Sequence, residues 1–355
     1  MIRALAAGLV LLALAPAAAS AHARLEGTSP ERGTTVAKEP ARVVFRFGER
    51  VEATFGAVRV FDARGTRVDN GRIVRPGGDD RQVGTALQRG LPRGTYTATY
   101  RVVSADGHPV SGGFTFSIGR AGAAPRESVA DLVGGAGSGT ATDVAFGAVK
   151  ALGYVAIALA LGGLAFLAAV WRPALAGVAG GGAEWARAAG GFAGRARRLL
   201  AAAVVLGLVT SAAGLVLEGA TGAGVSFWSA LDPTIVREAA STHAGTGWVL
   251  RLADWALLAV ALGLLAGRGA IPVARPVPLG ATGHVLDPAL SRAALVALAV
   301  PALFLAVAPA LSGHASTQDP VWALFPLDVA HVLAMSAWLG GLALLLICVP
   351  AATRS

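Results

Sequence analysis

The sequence predicts an all-β sandwich followed by a multi-span α-helical membrane bundle. Of its 355 residues, 54% are hydrophobic and only 14% are charged, whereas an ordinary soluble domain has roughly 25% charged residues. The charged residues are concentrated in the first third of the chain, which contains short alternating runs, while the remainder contains long apolar stretches. These observations exclude a purely soluble protein and a disordered one.

Residues 1–21 are predicted to be a secretory signal peptide. Arg3 precedes an apolar stretch that is too short to span a membrane comfortably. The small residues that end at Ala21 fit the signal-peptidase cleavage rule. Cleavage after Ala21 makes His22 the new N-terminus.

Residues 22–120 are predicted to form the β-sandwich. In runs such as 42–47, 57–62 and 96–102, Val, Phe and Tyr alternate with polar or small residues, a period typical of half-buried strands. Several short strands separated by Gly and Pro turns predict a sandwich. The single cysteine, Cys348, leaves no disulfide to stabilise it. Residues 121–142, rich in Gly, Ala and Ser, are predicted to be a flexible linker.

Residues 143–355 are predicted to be the membrane domain, with about five apolar stretches of spanning length. These stretches are 144–171, 199–217, 248–266, 293–311 and 328–350. Arginines are frequent in the first and third loops, whereas the fourth loop has no Lys or Arg. Basic loops stay in the cytoplasm, so the second and fourth loops and the β domain are expected on the extracytoplasmic side of the inner, or cytoplasmic, membrane.

His22 and the segment Asp106-Gly107-His108 are candidate metal ligands. A mature N-terminal His22 offers its α-amine and ring Nδ1, which can close a chelate ring on a metal. Asp106 and His108 are two residues apart, so in an extended segment they project to the same side. Nitrogen and oxygen donors in a tetragonal arrangement favour Cu(II), with tetrahedral zinc as the competitor. Spacing alone favours the alternative, a frayed terminus and a polar hairpin turn.

A second set of candidate ligands lies in the membrane domain. Asp328, His331 and Met335 are spaced i, i+3 and i+7, so one helix face presents oxygen, nitrogen and sulfur. His314 and His243 are expected at the same outer side, and sulfur beside imidazole suits Cu(I). The alternative makes Met335 a packing residue and the histidines interfacial, although an ionisable residue inside a membrane favours a functional role for His331.

Four other charged residues of the membrane domain have structural explanations. Lys150 and Glu218 lie at span ends, where snorkelling to the interface accounts for them. Arg251 and Asp254 are three residues apart in the third span and are expected to pair with each other. The basic residues are scattered rather than clustered, so no nucleic-acid partner is predicted.

Several short motifs are spread over residues 22–119. They are His22-Ala-Arg-Leu, Thr28-Ser-Pro30, Phe45-Arg-Phe47-Gly-Glu49, Gly94-Thr-Tyr96 and Val103-Ser-Ala-Asp106-Gly-His108-Pro-Val-Ser-Gly112. Together they resemble the CopC family of periplasmic copper-binding proteins. The resemblance implies an Ig-like β-sandwich with Cu(II) ligands His22, Asp106 and His108, and some members use an additional glutamate at the position of Glu49. A Met-rich Cu(I) site, present in other members, is not expected here, because the chain has two methionines.

The membrane part carries a second resemblance. The segments Ser312-Gly-His314-Ala, Asp328-Val-Ala-His331 and Trp338-Leu-Gly-Gly341 are similar to the CopD family. That likeness implies an inner-membrane protein linked to copper uptake or resistance.

The sequence thus predicts a copper-binding membrane protein of copper homeostasis or resistance, not an enzyme. The outer domain is expected to capture Cu(II), and the membrane domain to transport copper, with uptake as the expected direction. The expected partners are the copper ion and the lipid bilayer; protein partners stay open. One alternative is a copper-dependent oxidative enzyme that uses the N-terminal histidine, against which residues 22–125 offer no obvious aromatic substrate platform. Another is a copper sensor or assembly module without transport.

Overall fold

Two structural units follow one another along the chain, a β domain and a bundle of long helices. The computed structural model describes residues 23–54, 56–105, 107–122, 128–134, 137–171, 173–174, 183–267, 292–318 and 320–353. The predicted signal peptide and two predicted ligands, His22 and Asp106, lie outside these residues. The fold class predicted from the sequence is confirmed.

The described part of the β domain contains nine strands. They are β1 (Leu25–Ser29), β2 (Thr35–Val36), β3 (Arg42–Phe47), β4 (Val51–Glu52), β5 (Val58–Asp62), β6 (Asp69–Val74), β7 (Gln82–Leu87), β8 (Gly94–Ser104) and β9 (Pro109–Ile118). In β3, Phe45 and Phe47 are buried while Arg42 and Arg46 are exposed, because successive side chains of a strand point to opposite faces.

The strands form two sheets. One sheet has the order β1-β3-β7-β6, and the other has the order β2-β9-β8-β4, with β5 also paired to β8. All pairs are antiparallel except β2 with β9. Between the sheets, the rings of Phe45 and Phe47 contact those of Tyr100 and Phe114, with centroids 4.9–5.3 Å apart. This aromatic core stabilises the domain through burial and edge-to-face contacts.

Asp69, at the start of β6, is a buried carboxylate with a full set of donors. Arg67 donates to it at 2.7–3.0 Å, and the N–H groups of Val60 and Gly71 each donate at 2.9 Å. Burial by itself raises the pKa of Asp69, but the hydrogen bonds and the Arg67 charge hold it below its ordinary value of 3.8. The carboxylate therefore stays ionised inside the domain.

Seven helices follow within the described ranges. They are α1 (Val129–Gly134), α2 (Thr140–Phe166), α3 (Ala183–Ala223), α4 (Pro233–Ser241), α5 (His243–Gly267), α6 (Arg292–Ser312) and α7 (Val321–Thr353). The helix α1 lies within the segment predicted to be a linker and packs against β8 and β9. A π-helical turn, Leu167–Trp171, extends α2.

Four of the described helical segments are long and apolar enough to cross a membrane. They are Thr140–Trp171, Gly190–Ala223, His243–Leu265 and Val321–Pro350. The predicted span 293–311 falls on α6, which contains Pro301 and Pro309 and whose described apolar part, Ala297–Ser312, is shorter. The predicted span 199–217 lies inside the much longer α3.

Small residues let α2 and α7 cross closely. A Cβ on Gly162 would collide with the carbonyl oxygen of Ser336, and a Cβ on Gly340 would collide with that of Ala158. Close backbone approach at small residues is typical of helices that pack within membranes. The β domain contacts the end of the bundle formed by the end of α3 and the start of α5, which the loop charges predict to be extracytoplasmic.

Candidate metal centre

His108 lies at the end of a tight turn between β8 and β9. The N–H of Gly107 donates to the carbonyl oxygen of Ser104 at 2.9 Å, and the N–H of Ser104 donates to that of His108 at 2.9 Å. The Ser104 hydroxyl also hydrogen-bonds to the His108 backbone. Gly107 has a φ of 85°, a left-handed conformation that glycine adopts without steric cost. The turn therefore presents a half-buried His108 in a fixed position.

The strand pairing brings two other parts of the predicted ligand set towards this turn. Val51 pairs with Ser104 in an antiparallel ladder, so the preceding residues, including the half-buried Glu49, run towards the turn. The N–H of Gly48 donates to the carbonyl oxygen of Arg24 at 2.9 Å, so the chain enters the domain beside Glu49. The described start of the chain, Glu49 and His108 thus lie at one end of the sandwich.

The turn packs directly on the membrane domain. A Cβ placed on Gly107 would lie 3.2 Å from the Cβ of Ala244 and 3.9 Å from Oε1 of Glu218. Ala244 lies in the first turn of α5, and Glu218 lies in the last turns of α3. The loop that carries His108 therefore touches two helices of the bundle.

Two polar contacts fix the β domain on the bundle. Arg101 of β8 donates from Nε to the carbonyl oxygen of Gly222 at 2.9 Å and from Nη2 to that of Thr221. These carbonyls end α3, where the helix dipole favours a cation. On the other side, the N–H of His243 donates to Oε1 of Glu52 at 2.7 Å.

Glu52 is a half-buried acid at this junction. Its Oε2 atom is buried and has no hydrogen-bond partner among the described residues. Burial raises the pKa of Glu52 above its ordinary value of 4.5, although the N–H and the charge of His243 and the charges of Arg75 and Arg50 oppose the shift. The junction thus holds a carboxyl group that is only partly satisfied.

A cavity of about 200 Å³ lies beside the turn, between the β domain and the bundle. Its polar lining consists of His108, Lys150, Tyr154, Thr210, Ser211, Glu218, Arg251 and Ser312. The volume would hold several waters at about 30 Å³ each, and it is below the roughly 300–1,000 Å³ of sites for small organic ligands. Its size and lining suit a hydrated ion.

Glu218 is held in place at the cavity wall. Gly214 leaves room for the indole of Trp248 against α3, and the indole Nε1 donates to Oε2 of Glu218 at 3.2 Å. Glu218 is only 7% exposed, so it faces the protein interior and does not snorkel as expected. Lys150, whose Nζ lies 3.9 Å over the ring of Phe146, lines the same cavity.

The expected pairing of Arg251 with Asp254 is wrong. Arg251 stacks over Trp248 at 4.5 Å and donates to the hydroxyl of Ser312 at 2.6 Å. Between the two described side chains there is no ion pair, and Oδ2 of Asp254 is buried without a hydrogen-bond partner. Asp254 thus lies one turn from the cavity wall as an unpaired acid.

The predicted membrane ligands are not brought together around the cavity. On α7, His331 is exposed, and Asp328 and Met335 are half-buried. His243 lies at the junction, where its Nε2 is 3.0 Å from the carbonyl oxygen of Leu311. None of these four side chains is among the described residues that line the cavity, whereas His108 is.

His314 begins a short 3-10 turn next to Gly313, which lines the cavity. Within the described ranges, no three His, Cys, Asp or Glu side chains are arranged to hold a metal ion. The predicted copper site, two of whose ligands lie outside those ranges, stays a prediction. Sequence reasoning gave no functional role to Glu52 and Glu218, although a charged residue at the edge of an apolar stretch was a visible signal for Glu218.

Comparisons with known proteins match both parts of the chain. Residues 25–119 match the CopC domain family. The chain is 29% identical over 342 residues to the copper transport protein CutJ of Bacillus subtilis, an alignment that covers 96% of this chain and 56% of that protein. The chain thus spans little more than half the length of this relative.

Two further relatives match the β domain. Protein YobA of Escherichia coli K12 is 32% identical over 98 residues, which cover 28% of this chain and 79% of that protein. Copper resistance protein C of Xanthomonas campestris pv. juglandis is 30% identical over 115 residues, which cover 31% of this chain and 90% of that protein. The resemblance of the membrane part to CopD stays a prediction.

Proposed function

Since the chain belongs to the CopC family through its residues 25–119, we propose that it captures Cu(II) outside the cytoplasm and passes copper into its membrane domain. The proposed direction is uptake. Relatives over both parts of the chain are named copper transport or copper resistance proteins, which supports a carrier in preference to an enzyme.

The proposed capture site consists of His22, Asp106 and His108, with Glu49 as an additional oxygen donor. The convergence of the chain start, Glu49 and the His108 turn at one end of the sandwich supports this ligand set. Imidazole, amine and carboxylate groups suit Cu(II). One copper per chain is proposed, because two methionines in the whole sequence are too few for a Met-rich Cu(I) site.

One observation carries the transport proposal: His108 lines a cavity whose other walls are helices of the bundle. A metal released from His108 therefore meets helices of the membrane domain directly. The cavity also lies at the end of the bundle that the loop charges predict to be extracytoplasmic, as uptake requires.

The test uses the full chain with His108→Ala and, as a matched control, His284→Ala in the predicted third, cytoplasmic loop. Purified wild-type and control proteins are expected to bind one Cu(II) per chain in a competition assay with a chelator. Because a direct ligand is lost, the His108 variant is expected to bind at least about tenfold more weakly. Copper accumulation by cells, measured by mass spectrometry, should fall with it. Unchanged binding by the His108 variant would overturn the proposal.

A further inference from the structure

A buried carboxylate stands where copper that leaves His108 would first meet the bundle. Glu218 lines the cavity together with His108, and its Oε1 lies 3.9 Å from a Cβ position on Gly107, the residue before His108. Glu218 is 7% exposed, and an ionisable side chain buried in a membrane span is expensive to keep. Its position therefore needs a functional explanation.

The two oxygens of the Glu218 carboxylate face different groups. Oε2 accepts the indole N–H of Trp248, which fixes the side chain, while Oε1 is directed towards the turn. Trp248 is itself held between Gly214 of α3 and the guanidinium of Arg251. One oxygen is thus used for positioning, and the other faces the predicted capture site.

Glu218 is the one carboxylate among the described residues that line the cavity, and the cationic side chains of Lys150 and Arg251 line it too. His108, Lys150 and Glu52 all interact electrostatically with Glu218, so the carboxylate shares the junction with groups of both signs. In the described part of the protein, no third His, Cys, Asp or Glu joins Glu218 in a geometry that could trap a metal. A pathway site must bind strongly enough for entry and weakly enough for release. The Glu218 carboxylate supplies the attraction for a cation, and the neighbouring cations and the small number of ligands limit its retention.

From this arrangement we propose that Glu218 is the first acceptor of copper in the membrane domain, taking it from His108 by ligand exchange. This inference rests on the proposed function. A copper–nitrogen bond to His108 breaks as a copper–oxygen bond to Oε1 of Glu218 forms. The bonds to His22, Asp106 and Glu49 break as the ion leaves the capture site, water takes their places on the metal, and no electron is transferred. Trp248 is a positioning residue that holds Glu218 in the acceptor geometry.

The test compares Glu218→Gln with Glu238→Gln in the full chain. Glu238 lies on α4 at the same end of the bundle and is not among the residues that line the cavity. Cu(II) affinity of the purified protein, its Cu(II) electron paramagnetic resonance spectrum, and copper accumulation by cells supplied with copper sulfate are measured for each variant. The Glu218→Gln variant is expected to keep the affinity and spectrum of the wild type but to lose at least tenfold in accumulation rate, while the control matches the wild type in all three.

Two further variants distinguish loss of the acceptor carboxylate from misfolding. Glu218→Asp keeps the charge and is expected to transport faster than Glu218→Gln, whereas a purely structural role would predict no advantage for the charged variant. Trp248→Phe keeps the ring but loses the N–H donor, and it is expected to slow accumulation without changing Cu(II) affinity.

Three results would overturn the inference. One is wild-type accumulation by Glu218→Gln, another is equal transport by the Gln and Asp variants, and the third is lost Cu(II) affinity, which would place Glu218 in the capture site itself. The proposed function fails on a different result, namely unchanged Cu(II) binding by His108→Ala, so the two failures can be told apart.

Discussion

Replacing Gly107 by alanine probes how the β domain is seated on the membrane bundle. Two costs follow from the structure. At a φ of 85°, a residue with a Cβ is destabilised by about 1–2 kcal/mol. The new Cβ would also lie 3.2 Å from that of Ala244, closer than the optimum of about 3.5–4.0 Å, and relieving such overpacking costs about 1 kcal/mol.

These two costs can be separated by a second substitution, Ala244→Gly. It removes the atom that the new Cβ would meet, but it leaves the backbone strain at residue 107 unchanged. The intrinsic cost of glycine near the start of α5 cancels in a double-mutant cycle. The two substitutions are therefore expected to show a favourable coupling of about 1 kcal/mol, which is roughly fivefold in an equilibrium constant.

Hydrogen exchange in the turn supplies the measurement. The amide of Gly107 donates to the carbonyl oxygen of Ser104, so its exchange follows local opening of the turn. In detergent-solubilised full chain, Gly107→Ala is expected to increase opening roughly 30- to 100-fold, which corresponds to about 2–3 kcal/mol. Strict additivity of the two substitutions would show that the turn does not contact α5, and the docking argument would then be wrong.

Three other predictions concern different parts of the molecule. One alanine added ahead of His22 in the mature protein separates the α-amine from the ring, so Cu(II) affinity in chelator competition should fall by at least tenfold; equal affinity excludes the amine as a ligand. Changing both His314 and His331 to Ala should reduce cellular copper accumulation and leave Cu(II) binding intact, whereas unchanged accumulation would make them interfacial. Asp69→Asn should lower the free energy of unfolding by about 2 kcal/mol at pH 7. The native pKa of Asp69 is held below 3.8, so the stabilisation by its carboxylate is present above pH 3.8 and is lost as the pH falls through the native pKa. The melting temperatures of the wild type and the Asn variant should therefore converge in acid. Equal melting temperatures at pH 7 would refute the stabilising role of Asp69.

Local signals were sufficient to predict the fold class. The alternation around Phe45 and Phe47 and the long apolar stretches are properties of short windows, and both the sandwich and the helices follow from them. The ends of the helices were harder to predict, because the backbone hydrogen bonds of a helix continue beyond the apolar stretch that identifies it. Thus α3 begins at Ala183 and continues through Arg195, in a region predicted to be a loop.

The junction could not be predicted in the same way. Glu218 and Trp248 meet only because two glycine-containing helices pack together, and the turn at Gly107 meets Ala244 only because the β domain is seated on the bundle. Such contacts join residues that are far apart in sequence, and no local period encodes them. His108 was found because its motif is compact, whereas Glu218 was given a surface role because its partners lie on other elements.

Attachment of the β domain at two points has a consequence for kinetics. Arg101 holds it to the end of α3, and Glu52 holds it to the start of α5. Two attachments to different helices leave no single pivot about which the domain can swing. The effective concentration of the His108 turn at the cavity is therefore set by the fold, whereas for modules joined only by a flexible chain it falls with about the −3/2 power of linker length. The rate at which His108 meets Glu218 is therefore expected not to depend on the length of the 121–142 segment.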